Sequence, residues 1–175
     1  MSAAVDRQTF DRLVLEHLAS AQRFAIRLTG DADEAEDVLQ DALLRAHRSW
    51  QSFKGQSKFT TWFYAIVINC FRDRVAATPR VARLHDDVDG LTDSTTDPAH
   101  HAQSREFGEI VASEVSRLPP RQREVLVLSA YEQMPADQIA AVLQITEQNV
   151  RTQLHLARER LRERLAKHLG IRSEP

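Results

Sequence analysis

Phe10, Leu13, Val14, His17, Leu18, Ala21, Phe24, Ala25 and Leu28 recur at steps of three and four residues. That spacing puts them on one side of an α-helix, and Gly30 supplies a stop that tolerates a left-handed backbone. Asp31 or Asp33 can cap a second helix, with Glu34, Glu36 and Asp37 near the positive end of its dipole. Val38, Leu39, Ala42, Leu43 and Ala46 form its inward stripe. A loop around Ser52 to Ser57 comes next. Phe59, Phe63, Ile66, Val67 and Cys70 then share one face of a third helix, and the pattern ends at Pro79.

From about Arg80 to Ala102 periodicity disappears and Asp, Thr, Ser, Gly, Pro and His dominate, which predicts a mobile linker. Helical spacing resumes with Phe107, Ile110, Val111, Val115 and Leu118 and is broken at Pro119 and Pro120. Pro120 suits the first turn of a helix carrying Val125, Leu126 and Leu128. The pattern therefore predicts an all-α chain of two small helical domains, residues 6–79 and 104–170, joined by an acidic linker at 80–103.

Composition agrees with helices: five glycines and two tyrosines stand among many Leu, Ala, Arg, Glu and Gln in 175 residues. The one cysteine, Cys70, excludes an internal disulfide, and no apolar run is long enough for a signal peptide or membrane span, so a cytoplasmic protein without membrane insertion is expected. A net charge of −2 argues against coating nucleic acid through bulk charge. The charge is nevertheless polarised: Asp86, Asp87, Asp89, Asp93 and Asp97 fall in the linker, whereas Arg151, Arg158, Arg160, Arg162, Arg164, Lys167 and Arg172 crowd the C-terminal stretch.

Within PADQIAAVLQITEQNVRTQLHLARERL, residues 135–161, a short helix with Ile139, Ala140 and Leu143 inward leads into the turn Gln144-Ile145-Thr146. Thr146 can cap a second helix with Val150, Leu154 and Ala157 inward, which makes a helix-turn-helix pattern. The exposed residues at the start of that second helix are Glu147, Gln148, Asn149, Arg151, Thr152 and His155, the set that would enter a major groove, and Arg158 and Arg160 can reach phosphates. The same pattern fits an ordinary helical hairpin with a solvated polar face. Gln144 occupies a turn position where glycine is common, so either it takes a left-handed conformation at some cost or the turn differs.

FKGQSKFTTWFYAIVINCFRDR, residues 53–74, gathers Phe53, Phe59, Trp62, Phe63, Tyr64 and Phe71 with Lys54, Lys58, Arg72 and Arg74, although only 6% of the chain is aromatic. Rings replace the stacking of unpaired bases and cations hold phosphates, so such a mixture suits single-stranded DNA. Helical spacing assigns Phe59 and Phe63 to the core, and it lets Trp62 and Asn69 share a face as the preferred DNA-facing pair.

LPPRQREVLVLSAYEQMPADQIAAVLQITEQNVRTQLHLARERLRERL, from Leu118 onward, resembles the C-terminal promoter-binding domain of the extracytoplasmic-function (group 4) sigma factors of the sigma-70 family. GDADEAEDVLQDALLRAHRSW, residues 30–50, and the aromatic stretch are similar to that family's N-terminal domain. The resemblance implies an alternative-sigma initiation factor that binds core RNA polymerase through the β′ clamp helices and β flap, reads promoter DNA and meets an anti-sigma factor. It implies minus-ten contacts from Lys54, Gln56, Ser57, Lys58 and Thr60 in a base-capturing loop and from Trp62, Asn69, Arg72 and Asp73 on or near the third helix. Polymerase contacts would come from Asp37, Gln40, Asp41, Leu44 and Arg45, and minus-thirty-five contacts from the helix-turn-helix residues together with Arg158. The chain departs from the family's usual basic residues at Ala65, Gln153 and Leu156.

Enzyme readings find little support: Cys70 lies on an apolar helix face, and there is no glycine-rich phosphate loop or serine elbow. No catalytic residue, metal or cofactor is expected, because a helix start explains the acidic run 31–37 and His85, His100 and His101 lack a cysteine pair. A sigma-like decoy that binds an anti-sigma factor without promoter recognition is the rival reading, motivated by Gln144, Gln153, Leu156 and Ala65. A plain helix-turn-helix repressor leaves residues 30–74 unexplained.

Overall fold

The computed structural model describes residues 7–77 and 98–168. Among them are seven α-helices, one 3₁₀ turn and no strand: α1 (Arg7–Thr29), α2 (Ala32–Ser49), the turn Trp50–Ser52, α3 (Phe59–Ala77), α4 (Pro98–Ser116), α5 (Pro120–Ala130), α6 (Ala136–Leu143) and α7 (Glu147–His168). The fold is all-α, as the periodicity predicts. The five linker aspartates and His85 lie outside the described residues, as do the side chains of His100 and His101. α4 starts at Pro98, within the last part of the stretch read as linker.

Local chemistry sets the boundaries. Gly30 has φ +81° and donates its N–H to the Ile26 carbonyl at 2.8 Å, closing α1. Of the two candidate caps for α2, Asp31 serves: its backbone is extended and its carboxylate accepts the Glu34 N–H at 2.7 Å. Pro120 opens α5, where its missing N–H costs nothing.

α1, α2 and α3 pack on one another, as do α5, α6 and α7, with α4 against α7. Phe24, Leu28, Val38, Phe63 and Val67 are fully buried in the first group, and Leu118, Leu128, Ile139 and Leu143 in the second. The two cores are continuous, because α3 also packs on α6 and α1 on α4 and α5. Hence α3 carries a second buried row, Tyr64, Ile68 and Phe71, beside the expected Phe59, Phe63, Val67 and Cys70; Ile66 is only half-buried. Val125 to Leu128 are buried on every side of α5, as expected for a helix enclosed by its neighbours. No helix among the described residues is long and apolar enough to cross a membrane.

Candidate nucleic-acid and protein interfaces

The loop before α3 presents Lys54, Gln56, Ser57 and Lys58 to solvent. Gly55 turns it at φ +68° with nothing within 4 Å of where a Cβ would stand, so the backbone rather than packing requires glycine there. Beneath the loop the rings brace one another: Trp62 lies 4.9 Å from Phe53, 5.8 Å from Phe59 and 5.9 Å from Trp50, centroid to centroid. Trp62 is therefore half-buried, held at the loop's base by tilted aromatic contacts. Thr60 is half-buried in the first turn of α3, and Asn69, two turns beyond Trp62, is exposed.

The expected polymerase face lies on α2. Asp37, Gln40, Leu44 and Arg45 are exposed and Asp41 half-buried, with Leu44 57% accessible although it is an apolar side chain. Charges cross from this helix to α3: Arg45 donates to Asp73 at 2.7 Å, and Arg74 donates to Asp37 at 3.0 Å and Asp41 at 3.3 Å. The hydrogen bond to Asp73, reinforced by nearby charges, raises the pKa of Arg45 further above its ordinary value. Asp73, expected at the minus-ten element, and Arg45, expected at the polymerase, are thus partners across one seam. Cys70 lies buried behind that seam, and burial pushes its thiol up, away from a reactive thiolate.

In the second half, α6 and α7 form the expected helix-turn-helix. Gln144 takes the left-handed conformation, φ +55° and ψ +48°, and Thr146 Oγ1 accepts the Asn149 N–H at 3.2 Å. Ile139, Leu143, Val150 and Ala157 are buried while Ala140 and Leu154 are half-buried. Glu147, Gln148, Asn149, Arg151, Thr152, His155 and Arg158 are all exposed along the α7 surface. Two polar pairs run along the helix, Arg151 with Glu147 at 3.1 Å and the His155 ring with Glu159 at 3.5 Å. Leu156 is at the surface and Gln153 half-buried.

Arg72 behaves unlike the rest of the minus-ten set. Its guanidinium donates in a fork to Glu124 of α5, Nε to Oε1 at 2.8 Å and Nη2 to Oε2 at 2.7 Å, and Glu124 has no accessible surface. Around this pair, Tyr64 donates to Glu132 at 2.7 Å, Arg27 lies 4.3 Å over the Tyr131 ring, and Arg123 donates to the Leu28 and Thr29 carbonyls at the end of α1. Burial and the Glu132 hydrogen bond both raise the Tyr64 phenol above its ordinary pKa. The sequence alone marks no role for Glu124, Glu132, Arg27 or Arg123, and it places Tyr64 only within the aromatic stretch. The available signal was the unbroken apolar run Val125 to Leu128, which requires cover on all sides of α5.

Comparison with known proteins gives concordant matches. The family models for sigma-70 region 2 and sigma-70 region 4 match residues 13–80 and 109–161, in that order. The chain is 31% identical over 162 residues to the ECF RNA polymerase sigma factor SigE of Mycolicibacterium smegmatis, covering 91% of this chain and 63% of that protein. It is 30% identical over 164 residues to the RNA polymerase sigma-H factor of Pseudomonas aeruginosa, covering 88% and 84%. Among solved structures, the sigma factor RpoE in complex with the anti-sigma factor NepR from Bartonella quintana superposes with a TM-score of 0.68 at 25% identity, covering 89% of this chain and 96% of that one. CnrH in complex with the cytosolic domain of CnrY gives 0.67 at 26% identity, covering 95% and 93%.

Proposed function

The chain belongs to the extracytoplasmic-function group of the sigma-70 family, and from that premise we propose that it is an alternative-sigma initiation factor working in the cytoplasm on core RNA polymerase and promoter DNA. The observation that carries this reading is the presence, on one chain and in family order, of both sigma regions, each with its exposed polar surface on a buried helical frame. In this reading α2 docks on the polymerase through Asp37, Gln40, Asp41, Leu44 and Arg45. Leu44 is the exposed apolar residue of a polar face, and a partner that covers it removes that apolar surface from water.

The loop Lys54–Lys58 and the α3 surface then hold the opened minus-ten strand. Bracing by Phe53, Phe59 and Trp50 lets Trp62 meet a base without first losing side-chain freedom. α7 enters the duplex at the minus-thirty-five element, with Gln148, Asn149, Arg151 and Thr152 at base edges and Arg158 at phosphate. Two modest surfaces on one polymerase gain affinity through their linkage. An anti-sigma factor is a further partner under this reading, as for the sigma factor RpoE, whose complex with the anti-sigma factor NepR superposes on this chain. The proposed work is binding and strand capture, without catalytic chemistry of the chain's own.

The test is transcription from sheared genomic DNA of the source organism by its core polymerase with and without this chain, followed by mapping of start sites. New starts that share two upstream sequence boxes are expected. An active core that gains no starts overturns the proposal.

A further inference from the structure

We propose that Leu156 is a specificity-determining residue of α7: its exposed side chain packs against the 5-methyl group of a thymine in the major groove of the minus-thirty-five element. Duplex DNA reaches α7 only under the sigma reading, so the assignment rests on that reading and deepens it.

The inward stripe of α7 is complete without this residue. Val150, Leu154, Ala157 and Leu161 follow one another at helical steps, with Val150 and Ala157 buried and the two leucines half-buried. Leu156 stands outside that stripe and is the exposed one among the four leucines of the helix, at 36%. It shares a row with Asn149 and Thr152, at positions i, i+3 and i+7, about 10 Å along the helix from first to last. Thr152 donates its hydroxyl to the Gln148 carbonyl at 2.9 Å. Its only donor is thus committed to the helix, and toward a partner it offers a methyl group and a lone pair. The row runs from an amide at one end to alkyl groups at the other.

Only thymine places a methyl group in the major groove; hydrogen-bond donors and acceptors line the other base edges. An alkyl side chain laid over a donor or acceptor removes its water without replacing the hydrogen bond, a cost that the methyl edge avoids. Leu156 therefore selects thymine by attraction and also by penalising the alternatives. Arg158 and Arg160, two and four residues further on, are exposed as well. Their charge suits a polyanion beside Leu156 rather than the apolar surface of another protein.

The test uses holoenzyme made from the source organism's core polymerase and the full chain, on duplex promoters carrying the mapped minus-thirty-five box. Each thymine of the box is replaced in turn by deoxyuridine, which lacks only the methyl group, and promoter affinity is read by competition. With wild type, one replacement in the box should weaken binding about fourfold, the worth of one methyl group moved out of water, while replacements in the spacer should change nothing. Leu156→Ala should weaken binding to the thymine promoter by a similar factor and bind the thymine and uracil promoters alike. Leu156→Met, apolar and of similar volume, should keep the discrimination. Because Leu156 lies at the surface, both variants should keep the helix content and melting temperature of wild type. A box without thymine, a wild type indifferent to every replacement, or a Leu156→Ala variant as sensitive as wild type overturns the assignment. New start sites without any uracil effect overturn the thymine contact alone and leave the sigma reading standing. No new start sites overturn the sigma reading, and the thymine contact falls with it.

Discussion

Arg72 and Asp73 are neighbours on one helix, both assigned by sequence to the minus-ten element, yet they take part in different kinds of structure. Asp73 points along the outer seam to Arg45, where both partners are well exposed. Arg72 points into the junction of the two halves, onto a carboxylate with no access to water. The distances are both 2.7 Å, so length alone does not separate them. What separates them is dielectric surroundings: the exposed pair competes with water and salt, whereas the buried one has already lost its water and depends on its partner.

Breaking the junction at its apolar floor should give the largest effect. Phe71→Ala removes a ring that is 1% exposed beneath Arg123 and is expected to cost about 3–5 kcal/mol in chemical denaturation of the full chain, and a loss near zero would mean α3 has no second packed face. Glu124→Ala leaves Arg72 facing the junction without its carboxylate; about 3 kcal/mol should be lost, toward the lower end for a broken buried pair because Arg72 is itself 27% exposed. A Glu124→Ala variant as stable as wild type would put the pair in the same class as the seam.

Glu114 sharpens the contrast as a second buried carboxylate, this one inside the C-terminal half. Burial raises its pKa, but the His168 hydrogen bond and the charges of Arg117 and Arg164 outweigh that, so the net value lies below the ordinary one. Its folded-state pKa being depressed, its contribution is complete above the unfolded value of about 4.3 and is lost as pH falls through the lower folded value. Denaturation midpoints from about pH 6 down to about pH 3 should fall more in wild type than in Glu114→Gln, and equal slopes would remove Glu114 from the account. Smallest of all, Asp73→Asn at the exposed seam should change stability by less than about 1 kcal/mol, and a double-mutant cycle with Arg45→Gln measures the coupling directly.

Much of the frame was legible because it depends on nearby residues. The α1 stripe, the Gly30 stop, an aspartate cap at Asp31 or Asp33 and the Thr146 cap each need only a few positions along the chain to be recognised. The left-handed Gln144 was one of two stated possibilities, and the fold selects it; the backbone of Gln133, also at positive φ, left no such mark. The burial of Tyr64, Ile68 and Phe71 could not be read from α3 alone, since the row is covered by Phe24 of α1, stacked on Tyr64, and by residues from beyond residue 98. Arg72 shows the same limit. Its type and place fit a DNA contact, and only the arrangement of the halves reveals the carboxylate that engages it.

A carboxylate supplied by the same chain has a consequence for dosage. A separate inhibitor holds a fraction of its target that depends on how many copies of each are made, so its grip loosens when the target is overproduced. Glu124 is present once for every Arg72 at any expression level, and dilution cannot separate them. The pairing of these two groups is therefore set by the chain itself and is the same at any number of copies.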